Sequence, residues 1–241
     1  MRLLAAIGIT LLLAGCAGGG GRLNDRERYN RAAGKPIANP SAVVKAELSF
    51  ARLAQEKGQW TAFRETAADD AIMFVPNITN AQQWLKGKAD PPQAVEWQPH
   101  KISMSCDGSL AVSTGAWQDA DGGTGSFVTI WRLDNFDERH RGKDQDWKWV
   151  FDHGTPLDEP LPAPDFIETE VAACTGDAIE GYRNRIAQSK GTDRRRGNSR
   201  DGTLVWEATQ YLDDMPAIKI LVWNGEKMEP VAHDLKMGDN R

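Results

Sequence analysis

Between Val95 and Gly154 the chain carries four segments, VEWQPHKISMSC, SLAVSTGAWQ, GSFVTIWRL and DWKWVFDHG, set apart by turn formers such as Asp107-Gly108 and Asp121-Gly122-Gly123. Short runs rich in β-branched and aromatic side chains between such breakers read as strands. The charged stretch DNFDERHRGKDQ separates the third from the fourth. Ahead of them the period is helical. Asn39-Pro40 supplies a capping side chain and a proline at the first helical position, and Val43, Ala46, Phe50, Leu53 and Ala54 recur at helical spacing until Gly58. QWTAFRETAADDA reads as a second short helix with Trp60, Phe63 and Ala67 on one side. IMFVP reads as a buried strand stopped by Pro76, and NAQQWLKG as a third helix opened by Asn80 and closed by Gly87. Helices followed by a run of strands predict an α+β domain, residues 39–154, in which a curved antiparallel sheet wraps an N-terminal helix.

Beyond Gly154, TPLDEPLPAPD places four prolines in eleven residues and reads as an extended linker, residues 155–165. In residues 166–241 the stretches FIETEVAAC, GTLVWEATQYL and AIKILVW alternate like strands. Asn224-Gly225 is a favoured hairpin turn leading into KMEPVAH, so a small C-terminal antiparallel β extension is expected. Arg194-Arg195-Arg196 falls between the first two of these strands and reads as a solvated charge run, with contact to anionic lipid the alternative.

The chain opens MRLLAAIGITLLLAGC. Its apolar run, Leu3 to Ala14, falls short of the roughly 20 residues that span a bilayer as a helix. Arg2, an apolar middle and the small residues Ala14 and Gly15 follow the order of an export signal, residues 1–15. Leu13-Ala14-Gly15-Cys16 resembles the lipobox of bacterial lipoproteins. That resemblance implies lipid attachment at Cys16 and anchoring to the membrane by several acyl chains, each buried CH2 contributing about 0.8 kcal/mol. Ala17 stands where an aspartate in that family holds proteins at the inner membrane, which implies the outer membrane, facing the periplasm. Residues 16–38, with four consecutive glycines, read as a flexible tether.

Hydrophobic residues at 40% and charged residues at 26% are those of a globular chain, and a formal net charge of −5 argues against general nucleic-acid binding. Apart from Cys16 only Cys106 and Cys174 remain. In an oxidising compartment they are expected to form a disulfide closing a loop of about 70 residues, for which chain entropy gives roughly 4 kcal/mol. Two buried free thiols are the alternative. No metal-ligand spacing, glycine-rich phosphate loop or nucleophile elbow is present in the sequence, so neither a metal nor a cofactor is expected.

AELSFARLAQEKGQWTAFRETAADDAIMFVP and WKWVFDHG resemble the nuclear-transport-factor-2-like family, in the branch of SnoaL-like and ketosteroid-isomerase-like domains. The resemblance implies a cone with an open mouth, on which isomerases, cyclases, binding domains and assembly domains are all built. The isomerase branch uses an aspartate base and a tyrosine donor. Here the apolar face of the first helix, Val43, Ala46, Phe50 and Leu53, contains no tyrosine, aspartate or histidine. The polar candidates are then Asp69 and Asp70, read as a turn and helix end, His100, Asp152 and His153. Strand alternation places His153 with Trp147, Trp149 and Phe151, and Asp152 on the opposite face. Nine tryptophans either fill a core or line a cavity.

The expected site is an apolar pocket lined partly by Trp131 and Trp149, with His153 near its mouth to orient a ligand and no catalytic residue. The expected role is to bind a small apolar ligand, or to dock an envelope protein partner or a second copy. The rivals are an isomerase, cyclase or hydrolase of a small hydrophobic substrate, and a structural envelope module. A cavity with one buried acid of shifted pKa favours the enzyme, an apolar cavity without one favours ligand binding, and a filled cone favours a partner surface.

Overall fold

Helix α1 spans Pro40–Lys57, and its buried positions Val43, Glu47, Phe50 and Ala54 lie on one stripe of the helix. Glu47, outside the apolar pattern, therefore shares the buried face, while the expected Ala46 and Leu53 pack half-buried against the same core. Asn39 caps the helix through its backbone carbonyl, which accepts from the Ala42 N–H at 3.0 Å, and its side chain makes no capping bond. Gly58, at φ 105°, ends α1 and admits α2, Gln59–Thr66. The second helix is shorter than expected, because Ala67–Phe74 forms strand β1. Pairing with a neighbouring strand overrides a weak helical pattern there, so Asp69 and Asp70 sit in a strand rather than at a helix end. The computed structural model describes residues 38–134, 146–175, 193–211 and 216–231. Cys16, the lipobox and most of the tether lie outside the described residues, as do most of the charged loop after Leu133 and much of the stretch after Cys174.

Strand β2, Ile78–Asn80, leads into the short helix α3, Ala81–Leu85, which the Asn80 side chain caps by accepting from the Gln83 N–H at 2.9 Å. Strands β3, Glu96–Met104, β4, Leu110–Gln118, β5, Thr124–Leu133, and β6, Trp147–Leu157, follow as a meander. With β7, Glu168–Val171, they form a seven-stranded sheet in the order β2-β1-β6-β5-β4-β3-β7. It is a mixed sheet, not an antiparallel one, since β1 runs parallel to β6 and β7 parallel to β3. Both parallel partners reach the sheet by long connections, which a parallel pair requires. β7 was expected in the C-terminal extension and instead edges this sheet; the first three residues of the Pro-rich stretch continue β6.

A second, four-stranded antiparallel sheet has the order β11-β10-β9-β8. Its strands are β8, Asp193–Asn198, β9, Leu204–Gln210, β10, Ala217–Trp223, and β11, Met228–Pro230. Arg194, Arg195 and Arg196 thus belong to an edge strand, paired with Thr209, Ala208 and Glu207, rather than to a solvated loop. The last hairpin turns on Gly225-Glu226, one residue later than expected, with the Asn224 N–H donating to the Lys227 carbonyl at 3.2 Å. The fold class is α+β, and the described residues lie in one compact unit. Among them no helix is long and apolar enough to cross a membrane.

Two turns of like sequence join the sheets. Ser105-Cys106-Asp107-Gly108-Ser109-Leu110 links β3 to β4, and Ser199-Arg200-Asp201-Gly202-Thr203-Leu204 links β8 to β9. Each closes with the same bonds: the serine hydroxyl donates to the aspartate, at 2.7 and 2.6 Å, and accepts from the leucine N–H at 3.1 Å. Gly108 and Gly202, at φ 68° and 72°, supply the left-handed residue each turn needs. The turns also bond reciprocally. The Asp107 N–H donates to Asp201 Oδ2 and the Asp201 N–H to Asp107 Oδ2, while Cys106 N–H meets Thr203 Oγ1 and Arg200 N–H meets Ser109 Oγ. Cys106 and Cys174 stand beside this junction at bonding distance, S–S 2.05 Å, as a disulfide.

Candidate functional site

Glu47 emerges from α1 onto the seven-stranded sheet and is fully buried. Its Oε1 accepts from Trp97 Nε1 at 2.9 Å and its Oε2 from Trp131 Nε1 at 2.7 Å, and Ser113 Oγ makes a short contact with Oε2. Burial pushes its pKa up against the lowering effect of these three donors. An indole N–H can only donate, so the Ser113 hydroxyl is the partner able to share a proton with this carboxyl. Strands β3, β4 and β5 each contribute one of the three groups, and the network therefore ties the helix to the middle of the sheet.

Beyond this network opens a cavity of about 320 Å³. Its wall is largely aromatic, with Phe50, Trp60, Phe63, Trp97, Trp117 and Phe127 on it. Edge-to-face contacts hold several of these rings: Phe50 lies 4.8 Å from both Phe63 and Trp97, and Trp60 lies 5.6 Å from Phe63. Trp117 is seated by a glycine. Its cross-strand partner is Gly125, where a Cβ would come within 2.3 Å of the indole. Any side chain at position 125 would lift Trp117 out of the wall.

Asp152 borders this cavity and is buried. Unbroken alternation along β6 predicts it on the face opposite Trp149, and the structure places it on the same face. Trp131 pairs with Trp149 but Ile130 pairs with Phe151, so Val150 is an extra residue on β6. Such a bulge reverses the alternation beyond it. Asp152 thereby pairs with Thr129 and joins the face of Trp131 and Trp149, whereas His153 pairs with Val128 and turns the other way. Thr129 Oγ1 donates to Asp152 Oδ2 at 2.7 Å, which leaves Oδ1 without a hydrogen bond among the described residues. Burial, outweighing the Thr129 bond and reinforced by the charge of Glu47, pushes the Asp152 pKa up to about 7.

The other expected site residues are placed as follows. Trp131 and Trp149 do not line this cavity; Trp131 lies 6.0 Å from Phe50 and Trp149 5.8 Å from Phe63, both are fully buried, and Trp131 borders a separate open depression beside α1. Wide indoles opposite one another in the middle of a sheet under a helix fill the core. His153 also borders the cavity, with its ring 5.3 Å from Phe74 and its pKa lowered by burial to about 4, so it is neutral near pH 7. His100 occupies an irregularity of β3 between Pro99 and Lys101, and burial lowers its pKa too. Asp70 holds Arg132 through two bonds of 2.9 Å on the sheet.

Glu47 is charged and so stands outside the apolar pattern of α1 although it lies on the buried stripe. Its spacing of four from Val43 and three from Phe50 was the available signal. For Asp152 the bulge carries no sequence mark. Among the described residues no group of three metal-ligating side chains gathers. No family model, curated protein or solved structure matches this chain.

Proposed function

We propose that this chain is a lipoprotein of the bacterial cell envelope, anchored through Cys16, whose nuclear-transport-factor-2-like cone holds a small, mostly apolar molecule with one hydrogen-bonding group set against Asp152. In this reading the seven-stranded sheet is the curved wall of the cone and α1 its inner helix. The observation that carries the reading is the single buried carboxyl, with one oxygen open, on the aromatic wall of a cavity of about 320 Å³. That volume is near the lower end for small-molecule sites, where a few polar groups fix orientation and apolar walls supply most of the affinity. The protonated carboxyl would donate to a ligand carbonyl, and the ionised one would accept from a hydroxyl or amine.

The test is native mass spectrometry of the full chain and of Asp152→Leu. The native chain is expected to retain a small molecule that the variant, folded to the same circular dichroism spectrum, has lost. Equal retention by both would remove Asp152 from the site. The anchor is tested separately, since Cys16→Ser should abolish acyl labelling and release the protein from the membrane fraction; an unlabelled protein that stays bound would refute it.

A second reading is favoured by the Asp152 pKa of about 7, which suits a proton donor or acceptor near neutral pH. Asp152 would then move a proton on the bound molecule, with His153, neutral at that pH, also bordering the cavity. Turnover with a pH profile that Asp152→Asn abolishes would establish it over simple binding.

A further inference from the structure

The cavity beside Asp152 carries charge of one sign. Asp152 and Asp119 border it, and among the described residues no lysine or arginine does. His153 turns to the other face of the sheet and is neutral near pH 7. The register accounts for both carboxylates. Asp152 pairs with Thr129 and Thr129 with Ser113, so Asp152 stands on the face that carries the Glu47 network. Along β4 the same face continues through Gly115 to Trp117, and Asp119 follows two residues later at the turn into β5.

Each carboxylate has one oxygen committed to its own chain. Asp119 Oδ1 accepts from the Asp121 and Gly123 N–H groups at 3.0 and 2.7 Å, which closes the turn, and its Oδ2 has no hydrogen bond among the described residues. Asp152 Oδ2 accepts from Thr129, and Oδ1 stays open although the residue is only 8% exposed. Two of the wall indoles spend their N–H groups within the chain, Trp97 on Glu47 and Trp117 on the Ser126 carbonyl, each at 2.9 Å. They offer the cavity ring carbon and no donor. Gln59 borders it as well, with its amide oxygen taken by the Val95 N–H at 3.0 Å, which leaves a neutral NH2 group. An entering molecule therefore meets aromatic surface and carboxylate oxygens, and no positive side chain among the described residues.

We propose that this cavity binds a small organic amine as its cation, with the ammonium group on Asp152 Oδ1 and the apolar body against the aromatic wall, an inference that rests on the reading of the cavity as a small-molecule site. An ammonium N–H makes a charge-assisted bond to the open oxygen, stronger than the bond of a neutral hydroxyl. Its charge also compensates the carboxylate. A neutral ligand that displaced water would leave that charge buried beside apolar rings without a counter-charge. The rings favour a cation too, because their quadrupole attracts an ammonium group. An anionic ligand would meet two like charges instead, Asp152 and Asp119. An ammonium group beside Asp152 opposes the effect of burial and draws the carboxyl toward its ionised form.

The test is calorimetric titration of the full chain with three probes of similar shape and different charge, 2-phenylethylamine, 2-phenylethanol and phenylacetate, repeated on Asp152→Asn. At about pH 8 the amine is protonated and Asp152 is mostly ionised. The amine should bind at least about tenfold more tightly than the alcohol, and phenylacetate more weakly than either. Asp152→Asn keeps the shape of the side chain and removes its charge. In that variant the amine should lose about tenfold in affinity, while the alcohol changes by less than about threefold. Circular dichroism checks that the variant is folded, and the ranking of the three probes on the native chain does not depend on it. Amine binding no tighter than that of the alcohol or of phenylacetate, or unchanged in folded Asp152→Asn, would overturn the proposal. If the alcohol still binds in that case, the choice of an amine fails alone and the cavity remains a small-molecule site. Binding of none of the three also overturns the proposal, and the reading of the cavity falls with it where native mass spectrometry finds no retained molecule.

Discussion

Asp107 and Asp152 are both buried aspartates, and burial pushes the pKa of each upward, yet they stand in opposite kinds of surroundings. Asp107, in the turn between β3 and β4, accepts from the Ser105 hydroxyl, from both the N–H and the hydroxyl of Ser109, and from the Asp201 N–H across the junction of the sheets. Both its oxygens are occupied. Asp152 accepts from Thr129 alone and borders a cavity. A carboxylate whose lone pairs are filled by its own chain is part of the framework, since nothing is left for a ligand to use. One held by a single bond beside an apolar cavity keeps its remaining oxygen for whatever enters. Equal burial therefore does not mean equal role; the count of donors separates them.

The largest effect should come from removing the framework carboxylate. Asp107→Ala strands the donors of Ser105, Ser109 and Asp201 inside the junction, and loss of one partner from a buried charged network costs about 3 to 5 kcal/mol. Urea unfolding should show that loss for Asp107→Ala and a clearly smaller one for Asp152→Ala. If the two cost the same, the contrast between framework and site fails.

The next effect is read in pH. Asp152 titrates near 7 in the folded chain, against an ordinary value of 3.8. A folded-state pKa above the unfolded one means that the native state binds the proton more tightly, so the contribution is fully present below about pH 4 and is lost as pH rises through 7. At about 1.36 kcal/mol per pH unit the change amounts to roughly 4 kcal/mol. The stability of the native chain minus that of Asp152→Asn should therefore fall steadily between about pH 4 and 7, by up to that amount. Subtraction is needed because the raised pKa values of Glu47 and Asp107 act in the same direction in both proteins. A flat difference would show that Asp152 does not titrate in this window.

How much of this was legible in the sequence follows from what each feature depends on. The α1 stripe, the β3 to β6 meander and the Cys106 and Cys174 pairing rest on local period, turn residues and cysteine count, and all appear at or near the expected positions. The parallel pairing of β1 with β6, and of β7 with β3, rests on contacts between segments far apart in the chain, for which local pattern gives no register. Strand β8 was hidden by its composition, since DRRRGN has no apolar side chain and is held by pairing with β9. At the site the difference between pattern and structure is one residue wide. The extra Val150 exchanges the faces of Asp152 and His153, and a period-two argument carried across it inverts the assignment. The matching turns SCDGSL and SRDGTL were present in the sequence as an internal similarity, and only their reciprocal bonding gives it meaning.

The finest test makes the same substitution in both regions. Thr129 and Thr203 each donate a hydroxyl to an aspartate, to Asp152 at 2.7 Å and to Asp201 at 2.9 Å. Thr203 Oγ1 also accepts from the buried Cys106 N–H at 2.9 Å. Valine keeps the shape of threonine and removes the hydroxyl. In Thr203→Val the Cys106 N–H loses its acceptor inside the junction, which should cost about 1 to 3 kcal/mol. In Thr129→Val, Asp152 can still be met by water or ligand from the cavity, and the cost should be about 1 kcal/mol or less at low pH. The Thr129 bond lowers the Asp152 pKa, so its removal should also move the titration of Asp152, followed by carboxyl carbon NMR, to higher pH. Thr203→Val should leave that titration where it is. A Thr203→Val variant that moves the Asp152 titration, or a Thr129→Val variant that loses as much stability as Thr203→Val, would mean that the two carboxylates belong to one framework and that the cavity carboxyl is not held in reserve for a ligand.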